Sequence, residues 1–333
     1  MNSSLIINNC SLIEGDVILT IAIPTYKRFS LLKETLRSVF DLKFNIPIEV
    51  IIVDNDPENV DLAIKEMQEF LGYKFKYYKN ESNYGAAGNW NRCLELAIGQ
   101  FITLLHDDDL LCENFPYEIE SYFNSLEKLE CAPMIGFDAH VLEQRDACSK
   151  VKVGFIYTLV KNIYQKYKNM RTMNDYQFKD LQSFIFSGSY VSTLGVVMDR
   201  KKALAISGFD NSWYPVIDCE FYIRWIRAYG DVIYKNVKVS KYRILQNDSM
   251  KQEVIRDVIK KSYELRMKVH NEEHNLVGID KFAKIMKKIE DYTWNMKWRK
   301  GNEYKINILD VAKLLLLKLN CILHIRKINL MRK

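Results

Sequence analysis

Residues 101–109 read Phe-Ile-Thr-Leu-Leu-His-Asp-Asp-Asp, an apolar run that ends abruptly in the three carboxylates Asp107, Asp108 and Asp109. An apolar run of this length predicts a buried β-strand. Three adjacent acids at the end of a buried strand repel one another in poorly screened surroundings, so they favour a bound cation. The stretch therefore predicts a divalent-metal site. An acidic loop that caps the next helix is the alternative, because acids also favour helix N-termini.

Outward from this stretch, short apolar runs alternate with longer amphipathic segments over residues 17–141, the pattern of a parallel α/β sheet. Strands are predicted at 18–23, 48–53, 75–78, 101–105 and 134–137, and helices at 31–40, 60–71, 86–98 and 115–129. Ligands of such sheets bind beyond the carboxyl ends of the strands. The residues that directly follow each strand are therefore the candidates for function.

The pattern is weaker in the second half of the chain. Residues 150–173, rich in Lys, Tyr and Asn, are interpreted as an irregular excursion. Regular elements are predicted again at 176–186 (helix), 191–198 (strand), 218–229 (helix) and 232–242 (strands), with helices throughout beyond residue 248. The predicted organisation is an N-terminal extension (1–16), a main α/β domain (17–248) with halves 17–141 and 174–248, and a helical C-terminal region (249–333).

The net charge of +6 comes entirely from the C-terminal tail, because the chain without residues 311–333 holds 42 basic and 42 acidic residues. A charge excess confined to one tail gives no basic face for nucleic acid, and no nucleic-acid partner is predicted. Seven cysteines without a C-x-x-C pair argue against a disulfide framework and favour a reducing cytoplasm. Residues 1–16 carry no Lys or Arg ahead of a long apolar stretch, so no secretory signal is predicted.

In the tail, Lys and Arg alternate with Leu and Ile, the composition of an amphipathic helix on an anionic membrane surface. Lys313 and Lys318 flank only four leucines, so the apolar stretch of the tail is too short to span a bilayer. A last helix that packs on its own domain with exposed lysines gives the same pattern and remains the alternative.

Polar residues follow the other predicted strands as well. Lys27 and Arg28 precede the first helix, where two cations oppose the helix dipole unless an anion such as phosphate binds there. Asp54 ends a β-branched run, where its carboxylate can accept from a base or from a ribose hydroxyl. Gly85 permits close backbone approach, and Asn83 and Asn89 offer neutral hydrogen bonds, although ordinary turn chemistry also explains Asn83.

Two common nucleotide-binding motifs are absent. Gly85-Ala-Ala-Gly88 does not have the G-x-G-x-x-G spacing, and no G-x-x-x-x-G-K-[ST] occurs in the chain. The dinucleotide dehydrogenase and P-loop classes therefore lose their main support. A phosphate-bearing ligand held by carboxylates, amides and a metal remains.

Four segments in this order, Ile21 to Arg28, Ile51 to Asn55, Asn83 to Gly85 and Leu104 to Asp109, resemble the motif set of family 2 glycosyltransferases with the GT-A fold. The resemblance covers about residues 19–242. It implies a mixed, mostly parallel central sheet flanked by helices, with a nucleotide-binding half (17–141) and an acceptor half (174–248). It also implies that Pro24, Thr25, Tyr26 and Asp54 lie at the nucleotide base, and that residues 107–109 bind ribose and a diphosphate-bridging Mn²⁺ or Mg²⁺.

The acidic motif departs from the family at one position, because His106 stands where the usual D-x-D-D pattern has an acid. Asp108 is then expected to bind the metal, Asp107 the ribose, and Asp109 either the metal or the surrounding structure. Hard Mg²⁺ prefers oxygen ligands, so His106 is expected to be a neighbouring or structural residue, with metal ligation as the alternative.

The second half supplies a candidate base. Alignment through Phe221 and Arg224 to the acceptor segment of the family implies that Asp218 is the general base. Glu220 competes, but it lies roughly 200° round a helix from Asp218, so the two cannot face one site. A simple N-cap role for Asp218 is the remaining alternative. By the resemblance, Arg243 and residues 247–249 lie where the family closes a loop over the donor, so Arg243 is expected to reach the diphosphate, with a plain surface loop as the alternative.

The resemblance and the tail together predict an inverting, metal-dependent transferase that moves a sugar from a nucleotide-diphosphate sugar, UDP-sugar favoured, to a saccharide acceptor. The acceptor is expected to be lipid-linked, in O-antigen or capsule synthesis, with the protein peripheral on the inner face of the cell membrane. A nucleotidyltransferase and a non-catalytic nucleotide-sugar-binding subunit are the alternatives.

Overall fold

The computed structural model describes residues 1–143, 176–187, 193–244 and 251–298, together with the single residues 320 and 323. The predictions for residues 150–173, for the loop at 247–249 and for the basic tail apart from residues 320 and 323 lie outside the described residues. Among the described residues, no helix combines the length and the apolar character needed to cross a membrane.

The main sheet has six strands in the order β1-β4-β3-β2-β5-β9. Its strands are β1 (Ser3–Asn8), β2 (Leu19–Thr25), β3 (Ile48–Asp54), β4 (Lys76–Asn80), β5 (Phe101–Leu104) and β9 (Met198–Asp199). The inner strands β4, β3, β2 and β5 run parallel, whereas the edge strands β1 and β9 are antiparallel to their neighbours. The carboxyl ends of the parallel strands therefore meet at one edge, as the sequence predicted.

Helices cover both faces of this sheet. They are α1 (Phe29–Phe40), α2 (Val60–Met67), α3 (Gly85–Leu96), α4 (Phe115–Asn124), α5 (Leu181–Ser187), α6 (Arg200–Ala205), α7 (Ile217–Tyr229), α8 (Gln252–Glu272) and α9 (Ile279–Trp298). Successive residues of β3 pack into two different cores: Ile52 lies in the core that includes α1 and α4, and Val53 in the core that includes α3 and α7. Burial on both faces explains why the strands are continuous apolar runs.

A smaller sheet adjoins the main one, with the order β6-β10-β7 and with β8 also paired to β10. These strands are β6 (Leu110–Leu111), β7 (Ile135–Glu143), β8 (Tyr176–Lys179) and β10 (Val232–Ile244). β10 runs parallel to β7 and antiparallel to β6, which directly follows the acidic run. This pairing places Arg243 behind the carboxylates of Asp107, Asp108 and Asp109.

The predicted α/β class, with a mostly parallel sheet, flanking helices and a helical C-terminal region, is confirmed. Two elements of the second half were predicted wrongly. The helix predicted at 176–186 begins as the strand β8, whose alternation of aromatic and polar residues has the period of a strand, and α5 follows it. In the described part of the strand predicted at 191–198, Gly195 has φ +81° within a turn, so only Met198–Asp199 forms a strand there.

Candidate active site at the strand ends

A cavity of about 810 Å³ lies at the carboxyl ends of the parallel strands. Ten of the predicted site residues line it: Pro24, Thr25, Tyr26, Arg28, Asn83, Gly85, Asn89, Asp107, Asp108 and Asp218. Three others, Asp54, Asp109 and Arg243, do not belong to its lining. The structure thus brings both halves of the predicted site into one cavity, while the roles of the individual residues stay predictions.

Asp107 is held from β2 and from the start of α1. Its Oδ2 accepts from Thr25 Oγ1 at 2.7 Å and from the Tyr26 amide at 3.4 Å, and Arg28 Nη1 lies 3.5 Å from its Oδ1. Burial raises the pKa of Asp107, and these donors oppose that rise. The carboxylate is therefore fixed in orientation at the cavity wall, and the Thr25 hydroxyl is already committed to it.

Asp108 shares Arg28 with Asp107, because Arg28 Nη1 also lies 3.1 Å from Asp108 Oδ2. Arg28 thus meets the two carboxylates from the N-terminus of α1, where a second cation, Lys27, lies 3.6 Å from Asp56 Oδ1. The sequence predicted an anion for this pair of cations. In the structure, acidic side chains of the protein supply that negative charge.

Asp109 is 1% exposed and lies behind the cavity wall. Its Oδ1 accepts from the Arg243 amide at 2.9 Å, whereas its Oδ2 is buried without a hydrogen-bond partner. Burial raises the pKa of Asp109 to about 6, and the charges of His106 and Arg243 oppose that rise. The Thr35 hydroxyl contacts the Asp107 and Asp109 carbonyl oxygens at 3.0 and 2.8 Å, which fixes the turn.

Arg243 lies behind the acidic run and outside the cavity lining, while its contact with a diphosphate stays a prediction. Arg243 is 2% exposed, its Nε donates to the Asp108 carbonyl oxygen at 2.8 Å, and its Nη2 lies 2.6 Å from Glu34 Oε2. Pairing of β10 with β6 and β7 places the guanidinium behind the acidic run. Arg243 therefore positions Asp108 and Asp109 and does not line the cavity.

Asp54 also differs from its expected place beside the base. It is 1% exposed, its Oδ2 accepts from Lys79 Nζ at 2.7 Å and from the Tyr77 hydroxyl at 2.9 Å, and its Oδ1 accepts from the Asp56 amide at 3.0 Å. Asp54 and Lys79 are register partners on β3 and β4, so their side chains share one face of the sheet. This geometry makes Asp54 part of a buried ion pair beneath the cavity.

Asn55, the next residue, lines the cavity, whereas Asp54 does not. Its Nδ2 donates to Asn83 Oδ1 at 2.7 Å, and its Oδ1 accepts from Asn80 Nδ2 at 3.0 Å. Asn80 Nδ2 also lies 2.9 Å from Asn89 Oδ1, and Asn89 Nδ2 donates to the Val53 carbonyl oxygen at 3.0 Å. The amides thus form one network that fixes the ends of β3, β4 and α3.

Asp218 lies in the first turn of α7 and lines the cavity. Burial raises the pKa of Asp218, while the hydrogen bond from the Cys219 amide at 2.8 Å and the charge of His106 oppose that rise. A carboxylate with a raised pKa is a stronger base than an exposed one. Asp218 therefore combines access to the cavity with the acid–base property that a general base needs.

Glu220 is turned away from the cavity. It is 3% exposed and forms a bidentate ion pair with Arg224, with Arg224 Nε at 2.8 Å from Oε1 and Nη2 at 2.8 Å from Oε2. Arg224 also donates to the Gly208 carbonyl oxygen at 2.7 Å. Between the two candidates, the geometry thus favours Asp218, because Glu220 anchors the start of α7 to the preceding loop.

Sequence reasoning did not select several residues that line the cavity: Asn55, Trp90, Thr193, Asn211, Tyr214, Tyr242, Val254 and Val258. Asn55 had a usable signal, its place directly after a buried strand. Val254 and Val258 had none, because α8 follows the other strand-end segments by more than a hundred residues and only packing brings it to the site.

His106, Asp108 and Asp109 form a group that can hold a metal ion, since one ligand atom of each lies within 4.8 Å of the others. The unpartnered Asp109 Oδ2 in this group is a buried carboxylate oxygen, which a divalent cation suits. The donors present therefore fit a bound metal.

Residues 20–147 match the family described as Glycosyl transferase family 2. Over these residues the chain is therefore similar to the predicted family. The matched residues include β2, β3, β5 and the acidic run, whereas Asp218 lies outside them.

Two relatives illustrate the likeness. MT1568 of Mycobacterium tuberculosis is 25% identical over 213 residues, which are 62% of this chain and 61% of that protein. The GalNAc(5)-diNAcBac-PP-undecaprenol beta-1,3-glucosyltransferase of Campylobacter jejuni is 32% identical over 95 residues, 28% of this chain and 30% of the enzyme. The chain thus spans less than two thirds of either relative.

Among solved structures, residues 1–349 of S. aureus TarS, in complex with UDP-GlcNAc, superpose with a TM-score of 0.54 at 13% identity. The superposition covers 93% of this chain and 82% of the TarS chain. At this identity the likeness concerns the fold alone, and it confirms the predicted GT-A fold.

Proposed function

We propose that this protein is an inverting, metal-dependent glycosyltransferase that moves a sugar from a nucleotide-diphosphate sugar, UDP-sugar favoured, to a hydroxyl of a saccharide acceptor. The observation that carries the proposal is the single cavity that joins the acidic run to Asp218. Such a reaction needs groups that hold a diphosphate and a base that activates the acceptor. The similarity to family 2 and the complex of TarS with UDP-GlcNAc support the choice of donor.

On the donor side, Asn55, Asn83 and Asn89 offer a neutral amide surface, and Gly85 brings backbone close to the ligand. Arg28 is partly exposed at the same cavity, so its guanidinium can turn from the carboxylates to diphosphate oxygens. Asp108 and Asp109 would hold Mn²⁺ or Mg²⁺. Such an ion, when bound, offsets the negative charge that develops on the departing nucleoside diphosphate.

On the acceptor side, the Asp218 carboxylate takes the proton of the acceptor hydroxyl as its oxygen bonds to the anomeric carbon. The bond between that carbon and the diphosphate oxygen breaks in the same step, and the nucleoside diphosphate leaves. Attack on the face opposite the leaving group inverts the anomeric configuration. The residues of the chain therefore position both reactants and move one proton.

We further propose that the acceptor is lipid-linked and that the reaction belongs to O-antigen or capsule synthesis. The protein would act at the inner face of the cell membrane. The name of the Campylobacter jejuni relative includes an undecaprenol diphosphate, which supports a lipid-linked acceptor. The basic amphipathic tail at 311–333 supports a position on an anionic membrane surface.

Slow hydrolysis of the donor tests the proposed function without knowledge of the acceptor. The protein is incubated with Mn²⁺ and a panel of nucleotide sugars, and release of nucleoside diphosphate is measured. We expect release from at least one donor and its loss in Asp108→Asn, with Asp231→Asn, which changes an exposed acid outside the cavity, as the control. Release of pyrophosphate would indicate a nucleotidyltransferase, and binding without any release a non-catalytic subunit.

The pH dependence of turnover should report Asp218. Its pKa is raised by burial, and a base must be ionised to act, so kcat should fall as the pH drops through this raised pKa. We expect the acidic limb of the kcat profile to lie above the ordinary aspartate pKa of about 3.9. A limb at or below that value would contradict the assignment of Asp218.

Binding to membranes should depend on the basic tail. Deletion of residues 310–333 is expected to abolish cosedimentation with vesicles that contain anionic lipid, while slow donor hydrolysis persists. Each Lys or Arg near such a surface contributes about 1 kcal/mol, so raised salt should weaken the binding of the full chain. Equal sedimentation of the deleted and full chains would refute the tail as an anchor.

A further inference from the structure

His106 packs against an aromatic side chain beside the possible metal ligands Asp108 and Asp109. Its ring stacks on Trp90 with ring centroids 5.3 Å apart and an interplanar angle of 19°. Trp90 in turn meets the edge of Phe209 at 5.1 Å. The imidazole lines the cavity, and its stacking on Trp90 favours the observed plane of the ring.

Two polar atoms in this group are buried without hydrogen-bond partners, His106 Nε2 and Asp109 Oδ2. The other ring nitrogen, His106 Nδ1, lies 3.7 Å from Asp109 Oδ2, which is too long for a hydrogen bond. Buried polar atoms normally have partners, so Asp109 Oδ2, unpartnered with a ring nitrogen 3.7 Å away, points to a missing one. One ligand atom each from His106, Asp108 and Asp109 lies within 4.8 Å of the others, close enough for small side-chain shifts to bring all three to one ion.

We propose that His106 is a metal ligand beside Asp108 and Asp109, and that its nitrogen makes the site prefer transition-metal ions to Mg²⁺. The position of the metal in this proposal rests on the proposed function. Mg²⁺ prefers oxygen ligands in octahedral geometry, whereas affinity of a mixed nitrogen and oxygen site rises from Mn²⁺ to Co²⁺ and Ni²⁺. His106 stands where the resemblance expects an acid, so His106→Asp would restore an all-oxygen site.

The decisive readout is the coupling of a nitrogen nucleus to bound Mn²⁺, measured by electron spin echo modulation with the metal-loaded protein, with and without pyrophosphate. We expect ¹⁴N modulation from directly coordinated imidazole in the parent protein and its loss in His106→Asp and His106→Gln. His140→Asn, which changes an exposed histidine outside the cavity, should retain it. Absence of ¹⁴N modulation in the parent, or its persistence in both His106 variants, would overturn the proposal.

Metal selectivity gives a second readout. Affinities for Co²⁺, Mn²⁺ and Mg²⁺ are measured by calorimetry, and the ratio of Co²⁺ to Mg²⁺ affinity should fall at least about tenfold in His106→Asp. An unchanged ratio in a variant that melts like the parent would reject the proposal. Neither measurement uses turnover, so nitrogen coordination without donor hydrolysis would reject only the proposed function, and hydrolysis without nitrogen coordination only this inference.

Discussion

Replacing Asp218 by Asn is expected to lower kcat by a factor of about 10²–10⁴, the usual contribution of a positioned general base. The amide keeps the size of the carboxylate and can still accept from the Cys219 amide, which lies 2.8 Å from Oδ1 in the structure. It cannot take a proton from the acceptor hydroxyl. Donor affinity should change little, because Asp218 acts on the acceptor.

The melting temperature of Asp218→Asn distinguishes a loss of catalysis from misfolding of the variant. Burial raises the pKa of Asp218 in the folded protein, so the carboxyl favours the folded state while protonated and loses that advantage as the pH rises through the raised pKa. Asp218→Asn should therefore melt at the same temperature as the parent or higher at neutral pH. The control Asp231→Asn should retain full turnover. A variant Asp218→Asn that keeps parental kcat would place the base elsewhere.

Replacing Lys79 by Met is expected to lower the free energy of unfolding by about 3–5 kcal/mol, the usual cost of breaking a buried ion pair from one side. Lys79 Nζ lies 2.7 Å from Asp54 Oδ2, and both side chains are almost fully buried. Without Lys79, the Asp54 carboxylate accepts hydrogen bonds only from the neutral Tyr77 hydroxyl and Asp56 amide. Urea unfolding measures the loss, with Lys241→Met, which removes an exposed lysine, as the matched control.

The double variant separates the two possible roles of Asp54. If Asp54 serves the ion pair, Asp54→Asn should itself destabilise the protein, and Lys79→Met should cost less in its presence than in the parent. If Asp54 instead contacts the nucleotide base, Asp54→Asn should raise KM for the donor without a change in unfolding. A coupling energy near zero between positions 54 and 79 would contradict the structural role.

Much of the first half was predictable because its signals are local. β2 and β3 are apolar runs buried on both faces, and α1 and α3 have the amphipathic period of helices, so each element appears in a window of a few residues. The rule for ligands at the carboxyl ends of parallel strands then places Thr25, Asn83 and Asp107 at one cavity. In the second half, β8 has the alternation of a strand over four residues only, and it was merged with the helix α5 that follows it.

The sequence by itself thus determined the α/β class, the strand ends that form the cavity, and the candidacy of the acidic run and of Asp218. Only the tertiary structure decided which polar side chains of those segments face the cavity. The register of β3 against β4 turns Asp54 to Lys79, and the pairing of β10 puts Arg243 behind Asp109. Such choices depend on partners distant in the chain, since the burial of a charge is stable only where another segment compensates it.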